Sequence, residues 1–154
     1  MQQNVFTKSV RPTQPAPVGE HLMPGSLSAA SKLCRCVWSS TRVQYVLYPG
    51  LENHPGYEIN KAQTTGFGGM ISFAVDNAET ARQILEGVKL IKFAESLGGT
   101  ESLISYPIRQ THTDLTAEEC AEKGITDCLL RFSTGIEATQ DLIDDLAQAF
   151  AAIE

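Results

Sequence analysis

The segment GFGGMISFAVDNAETARQILEGV, residues 66–88, changes periodicity partway along, and that change decides the fold class. Met70 to Val75 is an apolar run reached through Gly66-Phe67-Gly68-Gly69, which reads as a strand. Ala78, Ala81, Ile84, Leu85 and Val88 then recur at helical spacing. Asp76 stands three residues before Glu79, the spacing of a capping box. A strand feeding straight into an amphipathic helix is the repeating unit of an α/β layer.

The same alternation continues outward in both directions. Upstream, Val43, Tyr45 and Leu47 alternate with Gln44, Val46 and Tyr48, a strand closed by Pro49-Gly50 and followed by a loop to Gly56. Downstream, Val88, Leu90 and Ile91 begin another extended piece. Ser102 to Ser105 is a short strand stopped before Pro107. Thr116 and Glu119 form a second capping box, with Gly124 as the stop. Cys128 to Ser133 is a strand. The last helix puts Leu142, Ile143, Leu146, Ala149, Phe150 and Ile153 on one face and Asp141, Asp144, Asp145 and Gln148 on the other. Glu137 and Asp141 lie near its start, where the helix dipole favours negative charge. The pattern predicts a two-layer α/β sandwich, a sheet with helices on one side.

Charge divides the chain at Arg42. Of 12 basic and 18 acidic residues, five and one lie in residues 1–42, giving +4 before the break and −10 after it. Four of the seven prolines, Pro12, Pro15, Pro17 and Pro24, share that first part. Proline removes amide donors and fixes φ. Residues 1–42 are therefore expected to be a basic, Pro-rich, disordered leader, although Ser26 to Trp38 admits a short helix. The overall charge of −6 argues against nucleic-acid or anionic-membrane partners. No apolar run approaches the roughly 20 residues of a membrane helix. Four cysteines in 154 residues do not make a disulfide scaffold, which suggests a cytoplasmic setting.

Most chemistries find no seat. Met70 and Ile71 stand where a phosphate loop or dinucleotide fingerprint requires other residues, so the glycine run is expected to be a bulge or a close backbone approach. Cys34 and Cys36, and Cys120 and Cys128, lack metal-ligand spacing, and no G-x-S-x-G elbow occurs. Two features remain. Arg131 interrupts the apolar strand Leu129-Leu130-Arg131-Phe132, and a guanidinium there needs an anion. That anion is either Asp127 or another acid of the chain, or a substrate carboxylate held bidentately. Glu95-Ser96-Leu97-Gly98-Gly99 is either a plain strand–strand turn or one that aims the Ser hydroxyl and nearby amides at one point.

From about Val43 onward, VQYVLYPGLENHPGYEINKAQTTGFGGMISF, KLIKFAESLGGTESLISYPIRQTH, GITDCLLRFSTGIE and DLIDDL resemble the C-terminal domain of the Cys/Met-metabolism pyridoxal-phosphate enzymes. Cystathionine γ-synthase, the cystathionine lyases, methionine γ-lyase and O-acylhomoserine sulfhydrylase are members. The segments ESLGGTESLISYP and QTHTDL look most like the γ-synthase and O-acylhomoserine branch. The resemblance implies an α/β (α+β) fold, a small, mostly antiparallel sheet with helices on one face, as in the small C-terminal domain of fold-type I PLP enzymes. It implies that Ser96 and Arg131 hold the α-carboxylate of an amino-acid substrate, and that Glu95 helps sort substrates by their distal group. His112 and the glycine run match as packing residues. Pyridoxal 5'-phosphate is the implied cofactor, and a homo-oligomer, a tetramer, the implied assembly.

The family's cofactor lysine lies in a Ser-x-Thr-Lys setting on a large domain ahead of this one. Thr7-Lys8-Ser9 is the nearest match and lacks that context. No catalytic or cofactor-binding residue is therefore assigned in this chain, and no metal ligand. The expected organisation is an unmatched leader, residues 1–42, joined to a C-terminal domain, residues 43–154, by truncation, frameshift or a natural split. The expected role is the substrate-carboxylate side of a C–S bond-making or bond-breaking enzyme, inactive alone. The alternative is a non-catalytic binding or assembly module that docks on a complete paralogue.

Overall fold

Alternate positions of two central strands decide which side of the sheet meets the helices. In β2 (Met70–Val75) Ile71 and Phe73 are buried, and Phe132 and Leu130 of β5 (Leu129–Ser133) stand opposite them in register. Both strands belong to a five-stranded sheet in the computed structural model, which describes residues 28–153. The other strands are β1 (Val43–Leu47), β3 (Lys92–Phe93) and β4 (Leu103–Ser105), and the order is β1-β2-β5-β4-β3. Every pairing is antiparallel except β3 with β4, which is parallel.

Of three helices, α1 (Ala29–Ser39) and α3 (Ala78–Gly87) both pack on α5 (Thr139–Ala151); α1 also packs on β1 and β2, and α3 on β2. Leu33, Val37, Ile84, Leu142 and Leu146 from these helices share one core with Ile71, Phe73, Leu130 and Phe132. Burying each such side chain contributes about 1.5–3 kcal/mol. The short helices α2 (Tyr57–Gln63) and α4 (Ala117–Glu122) lie in the connections. The predicted two-layer, mostly antiparallel α/β architecture is the one observed, and α4 carries the expected Thr116/Glu119 capping box, with Gly124 at φ +70°.

Four local expectations change. First, α1 is part of the folded unit. Ser28 caps it, and Ala30, Leu33, Cys34 and Val37 are buried. The Tyr48 hydroxyl, on a fully buried ring, hydrogen-bonds to Ser28 and Ser31 and ties the helix to the end of β1. The fold thus extends at least 15 residues ahead of the expected start at Val43, to Ser28. The remainder of the expected leader, residues 1–27, and the Thr7-Lys8-Ser9 motif lie outside the described residues. Second, the simple alternation in β1 is broken by a register shift between Val43 and Tyr45, so Val43, Val46 and Tyr48 are the buried set.

Third, Asn77 rather than Asp76 caps α3, accepting the Thr80 amide at 2.8 Å. Asp76 pairs with Arg42 at 3.0 Å. Fourth, Asp145 is not on a solvent face. It is 7% exposed, and its carboxylate accepts the backbone N–H groups of Lys89, Leu90 and Ile91 at 2.8–2.9 Å. The glycine run behaves as expected of a close approach: Gly68 has φ +72°, and a Cβ on Gly69 would lie 3.4 Å from the Thr134 carbonyl oxygen.

Two outcomes follow from this packing. A chain starting at Val43 loses the buried face of α1 and should melt without cooperativity in circular dichroism, whereas a chain starting at Ser28 keeps that face and should melt cooperatively. Asp145→Ala strands three backbone donors at about 1–3 kcal/mol each. It should lower the unfolding free energy in urea by roughly 3 kcal/mol or more, and Asp145→Asn should cost less because one acceptor oxygen survives.

Candidate functional site

Arg131 projects from the sheet face opposite the helices, because Leu130 and Phe132 on either side of it enter the core. Ser72 of β2 and Ser105 of β4 are its cross-strand partners. The Arg131 Nε–H donates to Ser105 Oγ at 3.1 Å, and Nη2 donates to the Glu95 carbonyl oxygen at 3.0 Å. A guanidinium carries five N–H donors. The edge formed by Nε and Nη2 is therefore held by the protein. The end-on fork of Nη1 and Nη2 keeps both protons of Nη1 and one of Nη2. Among the described residues no carboxylate lies within ion-pair distance of Arg131, and the Asp127 carboxylate accepts instead from Cys128 Sγ. Arg131 is thus a partly buried cation with no counter-ion among the described residues.

Glu95 and Ser96 begin the segment that links β3 to β4. Those strands run parallel, so the segment is a strand–strand connection that carries the chain back to the start of β4 rather than a tight turn. Glu95 reaches Arg131 through its backbone carbonyl, while its side chain is exposed. Ser96 is the next residue and is also exposed. Gly98 takes φ +70° and donates its N–H to Ser133 Oγ at 2.8 Å.

Several contributors to this arrangement were not singled out in the sequence. Ser105 and Ser133 are buried and hydroxyl-bearing on the Arg131 side. Their signal was the polar residue at every second strand position, which Arg131 and Ser133 display. Glu137 was expected to favour the helix dipole. It does lie at the start of α5, just ahead of the cap residue Ala138, and in addition its two carboxylate oxygens accept from Ser102 N and Ser102 Oγ, each at 2.7 Å. Burial alone would raise the Glu137 pKa; the hydrogen bonds from Ser102 outweigh that and hold it below the usual carboxylate range.

Nucleophilic and metal chemistry is weakly provided for. Burial pushes the Cys34 thiol up to about 12, and burial together with Asp127 pushes Cys128 up to about 11, so neither is a thiolate near neutral pH. Among the described residues no three His, Cys, Asp or Glu side chains converge to hold a metal. His54 accepts the Gly56 amide, and His112 pairs with Thr111. The described lysines are all exposed, with Lys61 over the Tyr57 ring and Lys92 on the Lys89 carbonyl. The donor set at Arg131 fits a carboxylate, not the aldehyde seat of pyridoxal phosphate. No described helix is long and apolar enough to cross a membrane.

Comparison with known proteins gives the arrangement a setting. The family model for the Cys/Met metabolism PLP-dependent enzymes matches residues 23–151, beginning well before the expected break at Arg42. A cystathionine γ-lyase of Bacillus subtilis is 47% identical over 124 residues, covering 80% of this chain and 33% of its own. The crystal structure of cystathionine γ-synthase from Xanthomonas oryzae pv. oryzae in complex with cystathionine superposes with a TM-score of 0.77 at 40% identity, covering 81% of this chain and 33% of its own. A putative O-acetylhomoserine (thiol)-lyase from Campylobacter jejuni, whose structure carries N'-pyridoxyl-lysine-5'-monophosphate, has a TM-score of 0.77 at 33% identity, covering 81% and 30%. The chain spans about a third of the length of these relatives. Lyases and synthases both appear among them, so they define the family and not the branch. With its sheet, its glycine turns and the Arg131 strand all within the matched span, the chain belongs to the Cys/Met-metabolism PLP-dependent enzyme family.

Proposed function

We propose that this chain supplies the substrate-carboxylate side of a PLP-dependent transsulfuration enzyme that makes or breaks a C–S bond in an amino acid. The observation that carries the reading is the free end-on fork of Arg131, fixed from behind by Ser105 and the Glu95 carbonyl. Two parallel N–H groups match the two oxygens of a carboxylate, and an anchor at that end of the substrate fixes which Cα bond faces the chemistry. Ser96, one residue beyond the Glu95 carbonyl, supplies a hydroxyl to the same carboxylate. The exposed Glu95 side chain meets the distal part of the substrate.

The cofactor would be held by groups outside the described residues. Leu97 and Ile136 are exposed beside this segment at 50% and 81%, an apolar surface suited to the part of the enzyme that completes the site. The whole protein would act in the cytoplasm as a homo-oligomer, a tetramer. The free state of Cys34, Cys36, Cys120 and Cys128 supports the reducing compartment.

Grafting residues 23–154 onto the preceding part of the Bacillus subtilis cystathionine γ-lyase tests the proposal. The chimera should turn over cystathionine. A charge-assisted hydrogen bond contributes about 1.5–3 kcal/mol, so Arg131→Ala should lower kcat/KM by roughly 10- to 150-fold. Arg131→Lys should recover only part of that loss, since an ammonium cannot form the fork. An active chimera whose kcat/KM is unchanged in Arg131→Ala would remove the assignment.

A further inference from the structure

The segment from Ala94 to Glu101 reaches Arg131 without a core of its own. Every residue from Glu95 to Glu101 is exposed, so hydrophobic burial does not fix its path. What fixes it is a set of polar tethers at the far end of β5. Gly98 N–H donates to Ser133 Oγ at 2.8 Å, and Ile136 N–H donates to the Thr100 carbonyl at 3.0 Å. Ser102 is fully buried, and its amide and hydroxyl both donate to the Glu137 carboxylate at 2.7 Å. The same hydroxyl accepts the Gly135 N–H at 2.9 Å. A Cβ on Gly135 would lie 2.5 Å from the Thr100 carbonyl oxygen and from Glu137 Oε2, so only glycine lets the two loops touch here.

We propose that Glu137, Ser102 and Ser133 are positioning residues that clamp the 94–101 segment onto β5, so that the Glu95 carbonyl holds the Arg131 guanidinium and Ser96 stays beside its open fork. The inference rests on the carboxylate site proposed above. Glu137 has no hydrogen bond or ion pair with Arg131; it acts through Ser102 and the segment between Ser102 and Glu95. Its carboxylate is committed to one buried residue, both of whose donors would otherwise be stranded. A residue that merely favoured the dipole of α5 would show no such commitment.

The full chain is the object of the test, compared with Glu137→Ala, Glu137→Gln, Ser133→Ala and Arg131→Ala. Two measurements are made on each. Amide hydrogen exchange is followed at Gly98 and Ile136, with Phe73 and Leu130 as core references. Affinity is measured by ligand-observed NMR for L-methionine, with L-methioninamide as the probe that lacks a carboxylate. Glu137→Ala should speed exchange at Gly98 and Ile136 and weaken L-methionine binding, each about tenfold, with core exchange unchanged. Glu137→Gln keeps one acceptor for Ser102 and should fall between the two. Binding of L-methioninamide should not respond to any variant.

If the wild-type chain prefers L-methionine in a way that Arg131→Ala abolishes, and Glu137→Ala leaves both affinity and exchange unchanged, the clamp is refuted and the carboxylate site stands. If the wild-type chain shows no preference for the acid over the amide, the carboxylate site fails and the clamp's role fails with it. Should Glu137→Ala also release the core amides, Ser133→Ala decides, because it removes only the Gly98 tether. Faster Gly98 exchange with weaker L-methionine binding supports the clamp; faster exchange at unaltered affinity overturns it.

Discussion

The pleat of β5 is the constraint on which the site depends. One strand must place Leu130 and Phe132 in the core and Arg131 and Ser133 on the far side, and its two-residue period does both at once. A slip of one residue would drive the guanidinium among Phe73, Ile104 and Leu142, where an unpaired charge costs several kcal/mol. The register is pinned on both sides, with Phe73 and Ile71 opposite Leu130 and Phe132 in β2, and Ile104 opposite Phe132 in β4. Packing energy on the helix side therefore fixes the position of a charged group on the opposite side. The core is in this sense part of the site's machinery.

The segment between α3 and β4 is held at its two ends by carboxylates from one region of the chain. Asp145 on α5 accepts the amides of Lys89, Leu90 and Ile91, just before β3. Glu137, two residues ahead of α5, accepts both donors of Ser102, just before β4. Between these points lie a two-residue strand and an exposed loop, which have little apolar surface with which to fix themselves. Backbone-directed hydrogen bonds to carboxylates take over that task, and because a carboxylate accepts from two sides it can hold consecutive donors. The loop is anchored firmly at its ends and keeps Ser96 and the Glu95 side chain exposed in the middle.

Much of this was legible in the sequence. The strand-to-helix change at Val75, the Thr116 capping box and the apolar neighbours of Arg131 all report local rules, and the structure obeys them. Helix α1 is hard to read in the sequence because its charges and serines give no clean polar face. Its place is set by Leu33 and Val37 packing under α5 and by the Ser28, Ser31 and Tyr48 hydroxyls, which are tertiary contacts. The partners of Asp145 and Glu137 are hidden in the sequence for a related cause. On helical spacing alone these two residues belong to a polar face or a helix start, and nothing local records that their partners lie 54 to 56 and 35 residues away. The alternation in β1 misleads because a register shift leaves no mark in the residue types around Gln44.

The central claim is that the unpaired fork of Arg131 is a carboxylate seat. The Arg131 side-chain N–H resonances of the full chain, titrated with L-cystathionine, report on that fork without mutation. The account predicts a saturable downfield shift of the Arg131 Nη protons, with the Nε–H shifting far less because Ser105 already holds it, and no shift when both carboxylates of the ligand are converted to amides. Arg131 resonances that stay unmoved while signals elsewhere saturate, or that shift equally with the diamide, would contradict it.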